Sequence, residues 1–465
     1  MSNRVKGLAP EYSVAYPPEQ LIGREKEKED IRQAIRDGVR VVYVEGGAGI
    51  GKTRLLEEME HLMADLFGPP VALGIVDFYD TAMHGSLALE EALAKEIWRQ
   101  GGESAVEEFF RSLERYRVGE ALEDEVHVAF VNAFKIWVGE RWAILRLDTA
   151  ESLEYGQEAP EVLEECEIFA EEAPAVRWLQ EHLPKLERAT ALIAARSTHT
   201  LRQQLEGTYP SELWRFVPLG TLSLEEAGEY FCASKFGQEV EEEMVERIWL
   251  LTNGRPILLS LAIDWLAREV RVDEIYEADI RELRRLKEQG GEEWEGLQQR
   301  FERALVEKAR LLSTPMDAAA YYAAAARKGF TAEMLRKMLS ELSPRRFDLS
   351  PEKSTRLVAD LTQLSFVKHP HGARDGWYFL HDEMYDLLDR YVWLRDYPAY
   401  THQADTAQFL AERIYGREEE EEESLIAEAA RQVKKARTHA ELLDRQRYMQ
   451  ALRTEQLFYW LEADP

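Results

Sequence analysis

The chain has 465 residues, 58 of them Lys or Arg and 87 Asp or Glu, for a formal net charge of −29. That length exceeds one small core and implies two to four compact units, while the acidic excess repels a phosphodiester backbone and makes nucleic acid an unlikely partner. Only Cys166 and Cys232 are present, far apart and without companion ligands, so neither a disulfide framework nor a cysteine zinc site is supported and two buried thiols are expected. With no apolar run long enough to span a bilayer and no apolar leader at the amino terminus, a cytoplasmic protein without a membrane partner is expected.

Residues 1–20 carry three prolines and no helical period, and read as an extended lead-in. In LIGREKEKEDIRQAI, Leu21, Ile22, Ile31 and Ile35 share one helical side. The turn of Ile22, Gly23 and Arg24 is either the entry to that helix or a contact for a nucleotide base. Next comes VRVVYVEGGAGIGKTR at 39–54, an apolar strand running into a glycine-rich loop. Gly46, Gly51, Lys52 and Thr53 fit G-x-x-x-x-G-K-[ST]. In this pattern the backbone N–H groups of Gly47, Ala48, Gly49, Ile50 and Gly51, with those of Lys52, Thr53 and Arg54, curl around phosphate oxygens, and a side chain at Gly49 or Gly51 would obstruct the anion. Lys52 brings a positive charge to the outer phosphates. Thr53 offers its hydroxyl to Mg2+, and the helix that starts here turns its positive end to the same anion.

A helix over 53–67 is followed by a strand at 71–78. Residues 84–140 are mostly helical, with Phe109, Phe110, Phe134 and Trp137 as core. The strand WAILRLD, 142–148, delivers Asp148 at its C-terminal end, where a second Mg2+ ligand is needed, acting through water. Glu151 either orients and deprotonates an attacking water or is a helix N-terminal charge. Arg146, inside this strand, is expected to reach the sheet edge or pair with an acid. A strand at 189–197 ends at Arg196, whose guanidinium either meets the terminal phosphate of a triphosphate or is solvated. A last strand at 215–222 completes a parallel, doubly wound α/β sheet.

Ser223 and Glu226 form an S-x-x-E capping box that opens a helical unit. Gly254-Arg255-Pro256 separates two apolar helices within it; Pro256 is helix punctuation unless that turn packs on a ligand. From 301 to 395, helices followed by the hairpin LSFVKHP–HGARDGWYFL suggest a winged helix. His381 stands between hairpin and helix, either structural or touching ligand, with Asp382 as the helix cap. Beyond Tyr400 the chain is helical, and Glu418–Glu423 reads as a solvated loop or helix end. The final helices look like the start of a helix-pair, TPR-like array, so a longer natural chain is expected. The expected domains are thus the lead-in 1–20, a P-loop domain 21–222, a helical lid 223–300, a winged-helix domain 301–395 and a repeat-like segment 396–465.

Together these pieces resemble the STAND class of signal-transducing P-loop ATPases, which includes the NB-ARC and NACHT proteins, over about residues 20–395. Leu21-Ile22-Gly23-Arg24-Glu25 is similar to the family's hhGRE segment, which implies adenine contact. Gly46–Thr53 matches Walker A. Leu147-Asp148 with Glu151 resembles Walker B, Arg196 falls at the sensor arginine, and Pro256 sits in the G-x-P turn. Leu380-His381-Asp382 is similar to the MHD signature, which implies that His381 holds the diphosphate of ADP. The resemblance implies an ATP/ADP and Mg2+ dependent switch: a closed ADP-bound monomer that opens and self-associates when ATP-bound, with a trigger sensed by the C-terminal helices. Thr149 replaces the family's second acid after Asp148, so hydrolysis is expected to be weak. The competing expectation is an initiator-type AAA ATPase whose winged helix binds DNA.

Overall fold

The structure is a computed structural model and describes residues 21–62, 71–154, 173–197, 199–234, 240–270, 272, 279–308, 314–368, 376–388, 390–391, 397–431 and 436–463. Cys166 and the hairpin turn expected near 370–375 lie outside them. Two compact units are present. Residues 24–220 form one with the chain from 408 onward; 221–369 and 376–407 form the other with residues 21–23. Residues from the expected 223–300 and 301–395 segments thus group in one unit, and most of the 396–465 segment groups with the other.

In the first unit, α1 (Glu25–Arg36) precedes β1 (Val41–Glu45), α2 (Lys52–Leu62) and β2 (Val71–Asp77). Then come α3 (Ser86–Arg99), α4 (Glu103–Arg117), α5 (Glu123–Val138), β3 (Ala143–Asp148), α6 (Pro174–Glu181), β4 (Ala189–Ala195), α7 (His199–Thr208) and β5 (Trp214–Pro218). The strands form one parallel sheet in the order β2-β3-β4-β1-β5. Every residue of β3 and β4 is buried, as their largely apolar runs lead one to expect of strands covered on both faces. The edge strand β5 is mostly exposed instead, with Val217 its one buried residue.

Phe109, Phe130, Phe134, Trp137 and Trp178 fill the core between the sheet and α3–α6, while Phe110 is half-buried against it. Arg146 is buried yet meets backbone: its Nε donates to the Leu73 carbonyl at 2.8 Å and Nη1 to the Leu56 carbonyl at 3.3 Å. The Leu73 carbonyl faces it where the β2–β3 register shifts between Ala72 and Ile75. A strand irregularity thus supplies one of the acceptors for the charge.

The second unit begins with α8 (Leu224–Ala233), α9 (Glu242–Thr252), α10 (Pro256–Ala267), α11 (Ile280–Gln289) and α12 (Glu292–Glu307). The capping box is present: Glu226 N–H donates to Ser223 Oγ at 3.2 Å and Ser223 N–H to Glu226 Oε2 at 2.8 Å. Cys232 on α8 is exposed, against expectation, because it lies off the face that buries Ala227 and Phe231. Helices α13 (Thr314–Ala325), α14 (Ala332–Glu341) and α15 (Pro351–Leu361) follow, then the antiparallel pair β6 (Val367–Lys368) and β7 (Phe379–Leu380), α16 (Asp382–Leu388) and α17 (Tyr397–Phe409).

Between α9 and α10 the chain reverses through Asn253 and Gly254, both left-handed, with φ of 52° and 67°. The Gly254 carbonyl accepts from Leu222 N–H at 2.8 Å, and a Cβ on Gly254 would lie 2.2 Å from the Leu222 carbonyl oxygen. Gly254→Ala is therefore expected to cost this unit at least about 2 kcal/mol, from the left-handed penalty plus the displaced backbone. A lowered urea midpoint with unchanged far-UV circular dichroism is the expected readout.

A π-helical turn at Leu410–Tyr415 leads into α18 (Gly416–Arg431) and α19 (Ala436–Ala463), which return to the sheet unit and pack as an antiparallel pair. The acidic run is helical and paired, because α19 sets arginines opposite it. Arg445 Nη1 meets Glu422 Oε1 at 2.9 Å, and Arg453 reaches Glu419 at 2.6 Å and Glu423 at 2.8 Å. No helix among the described residues is long and apolar enough to cross a membrane.

Candidate functional site

Parallel strands whose helices cover both faces open their loops at the carboxyl edge, and the Lys52 loop lies there, between β1 and α2. Its glycines have distinct reasons. Gly49 and Gly51 hold φ of 66° and 99°, a conformation costly to any Cβ. A Cβ on Gly51 would meet nothing within 4 Å, so the requirement at that position is backbone conformation; the close approach is at Gly46, where a Cβ would lie 2.8 Å from both Ile50 Cγ2 and the Leu219 carbonyl oxygen. Gly47 is exposed and Ala48 half-buried, while Ile50 is buried. Lys52 Nζ folds back on the loop, donating to the carbonyls of Gly46 at 2.8 Å and Gly47 at 2.9 Å.

One residue on, Thr53 Oγ1 donates to Asp148 Oδ2 at 2.6 Å. Side by side, the two residues would hold a Mg2+ ion, Thr53 through its hydroxyl and Asp148 through water. Asp148 is buried, and its Oδ1 accepts from Thr149 N–H at 2.9 Å. The strand ends there because Thr149 turns left-handed, at φ 56°.

Glu151 and Arg196 are engaged with each other. Glu151 Oε2 accepts from the Arg196 N–H at 3.1 Å, and Oε1 lies 3.3 Å from Arg196 Nε. The pairing follows from strand order, since β4 lies beside β3 and brings its tip to the turn after Asp148. Arg24 is buried, its Nη2 donating to the carbonyls of Ile50 at 3.2 Å and Gly220 at 2.5 Å. It therefore braces the loop from below. Arg54 Nη1 pairs with Glu57 Oε2 at 2.6 Å.

Two acids at this edge went unremarked in the sequence, though both end strands. Glu45 closes β1 and accepts from Arg202 at 3.0 Å and Ser197 Oγ at 3.2 Å. Asp77 closes β2 in register with Asp148 and caps the Tyr79 N–H at 2.9 Å.

The remaining sequence candidates belong to the other unit. Ile22 is half-buried, and Gly23, at φ 70°, leaves room for the Glu226 carboxylate, 2.6 Å from where its Cβ would be. Pro256 is the first residue of α10. His381 is half-buried between β7 and α16, its N–H donating to the Phe366 carbonyl at 2.8 Å. Arg255 links these two segments: its guanidinium pairs with Glu302, and its Nη1 meets Glu383 Oε1 at 2.7 Å.

The loop, Lys52 and the Thr53–Asp148 couple fit a nucleotide polyphosphate with its cation. A glycine-rich loop at a helix N-terminus can turn its backbone N–H groups to an anion, and the paired Thr53 and Asp148 oxygens suit a hard divalent ion.

No protein-family model matches the chain, and no curated relative matches its sequence. Among solved structures, it is similar to a Signal Transduction ATPase with Numerous Domains protein with a tetratricopeptide repeat sensor from Pyrococcus horikoshii, at 16% identity and a TM-score of 0.41. That likeness covers 98% of this chain, which spans 60% of the length of the other. It is also similar to the ORC2 protein of Aeropyrum pernix, seen in ADPNP and ADP complexes, at 14% identity and a TM-score of 0.35, over 82% of this chain and 96% of that one. Cdc6p from Pyrobaculum aerophilum gives 16% identity and a TM-score of 0.34, over 82% and 95% of the two chains.

Proposed function

We propose that this chain binds an adenine nucleotide with Mg2+ and acts as a STAND-type switch with slow ATP hydrolysis. The observation that carries the nucleotide reading is the Thr53–Asp148 hydrogen bond beside the Lys52 loop. In this reading the loop N–H groups and Lys52 hold the phosphates, Thr53 and Asp148 hold Mg2+, and Ile22, Gly23 and Arg24 border the adenine. Bound Mg2+ supplies charge neutralisation at the phosphates. Glu151 orients the attacking water and Arg196 senses the terminal phosphate, for which each must leave the other. Their mutual pairing, with Thr149 in place of a second acid, accords with slow turnover.

The switch reading adds that Pro256 and His381 contact the ADP-bound site and that the closed form is the ADP form. A nucleotide biases two shapes only through contacts made unequally with each, and His381 and Arg196 are the residues proposed to make them. The Arg255–Glu383 ion pair supports treating the G-x-P turn and the His381 segment as one element.

Release of ADP on denaturing the purified protein, identified by chromatography, is the expected result. His381→Ala is expected to lower ADP retention and to shift sedimentation toward oligomers. Unchanged ADP retention with unchanged sedimentation would remove the switch reading while leaving nucleotide binding intact. The second reading, an initiator-type ATPase with a DNA-binding winged helix, draws on the three helices α13–α15 ahead of the β6–β7 pair. Tight duplex binding with a steep salt slope would favour it.

A further inference from the structure

Away from the loop, three side chains from distant parts of the sequence converge among the helices of the sheet unit: Glu90 on α3, His127 on α5 and His182 at the end of α6. A ligand atom from each lies within 4.8 Å of the other two. Glu90 is fully buried and His127 is 5% exposed.

The polar geometry is unusual for a core. Glu90 Oε1 accepts from Trp178 Nε1 at 2.8 Å, but Oε2 has no hydrogen-bond partner. Nδ1 of His127 lies 2.9 Å from Glu90 Oε1, yet it makes no hydrogen bond of acceptable direction, and Nδ1 of His182 makes none either. Three buried polar atoms in one cluster are thus left unsatisfied, an arrangement folded proteins avoid unless something else satisfies them. A shared proton answers at most one of them. A cation at their meeting point answers all three.

The second nitrogen of His127 strengthens this reading. Its Nε2 faces Glu123 Oε1 at 3.4 Å, one helical turn earlier on α5. A carboxylate there holds the proton on Nε2 and leaves the Nδ1 lone pair aimed at the cluster, the outer arrangement common to metal-bound histidines. Two imidazoles and one carboxylate are borderline donors, suited to Zn2+ and poorly suited to Mg2+ or Ca2+.

We propose that Glu90, His127 and His182 form a three-ligand zinc site that ties α3, α5 and α6 together, its fourth position left to water, with Glu123 as the residue that orients His127. The site is separate from the Thr53–Asp148 couple and does not depend on the nucleotide reading.

The test uses the full chain, purified without a metal-affinity step, stripped with chelator and titrated with Zn2+ in excess Mg2+. One Zn2+ per chain and a raised melting temperature are expected. His182→Ala and Glu90→Gln are expected to weaken binding more than about a hundredfold, and Glu123→Gln about tenfold, the range for an outer partner. Asp148→Asn is expected to change nothing in this titration. Co2+ added to the wild-type chain is expected to give the strong visible absorption of a low-coordinate site, a readout that needs no variant to fold. Absence of stoichiometric Zn2+ binding would overturn the proposal. So would equal affinity in His182→Ala, loss of binding in Asp148→Asn, or a weak octahedral Co2+ spectrum.

Discussion

Lys52→Ala is expected to weaken ATP binding by about ten- to a hundredfold, measured by calorimetry with Mg2+ present. A charge-assisted hydrogen bond from an ammonium to phosphate contributes about 1.5–3 kcal/mol, and each 1.4 kcal/mol is tenfold in affinity. The Nζ already donates to the Gly46 and Gly47 carbonyls, so the variant also loses a brace on the loop that must present its N–H groups. Arg54→Ala is the matching control, because that guanidinium is held by Glu57 on the same helix. Its effect is expected to stay within a fewfold. Similar losses in the two variants would refute the assignment of Lys52 to the phosphates.

Asp264→Asn is expected to stabilise the second unit at neutral pH by ~3 kcal/mol and to give no gain near pH 4. Asp264 sits inside α10 fully buried, with Oδ2 accepting from Ser365 N–H at 2.8 Å and Oδ1 without a partner. Burial raises its pKa from 3.8 to about 6; the Ser365 backbone hydrogen bond and nearby Arg268 oppose that rise only in part. The folded state therefore binds the proton more tightly than the unfolded chain. Below pH 3.8 both forms are protonated and no penalty exists. Between 3.8 and about 6 stability falls as pH rises, and above 6 the full penalty of the buried anion is present. An asparagine carbonyl still accepts from Ser365 N–H and carries no charge. Thermal melts at pH 4.0 and 7.5 check the sign, and equal shifts at both values would rule out the buried carboxylate as the cause.

The features legible in the sequence are those set by near neighbours. The loop at Gly46–Thr53 was readable because a glycine needing positive φ, a lysine and a threonine must stand at fixed offsets after a strand. β1, β3 and β4 were readable because burial on both faces demands a nearly continuous apolar run. The capping box at Ser223 and Glu226 closes over three residues and needs no other partner.

What failed depended on partners far along the chain. Arg146 was readable as awkward, but a carbonyl made available by an irregularity in β2 cannot be inferred from β3. Glu418–Glu423 does lie at a helix end with Glu420, Glu421 and Glu423 exposed, but the arginines that pair with Glu419, Glu422 and Glu423 stand on α19 and could not be read from the run itself. Glu151 and Arg196 carried separate roles in sequence, yet their 45-residue separation collapses to one ion pair.

Local stereochemistry and hydrophobic period, both carried by the chain itself, determined that this protein has a phosphate-type loop on a parallel sheet followed by helices. Only the tertiary structure decided that β4 lies between β3 and β1, that the last helices pack with the sheet unit, and that Glu90, His127 and His182 meet. Such pairings follow from how buried faces fill space across long loops, and the sequence spacing of the partners carries no trace of it.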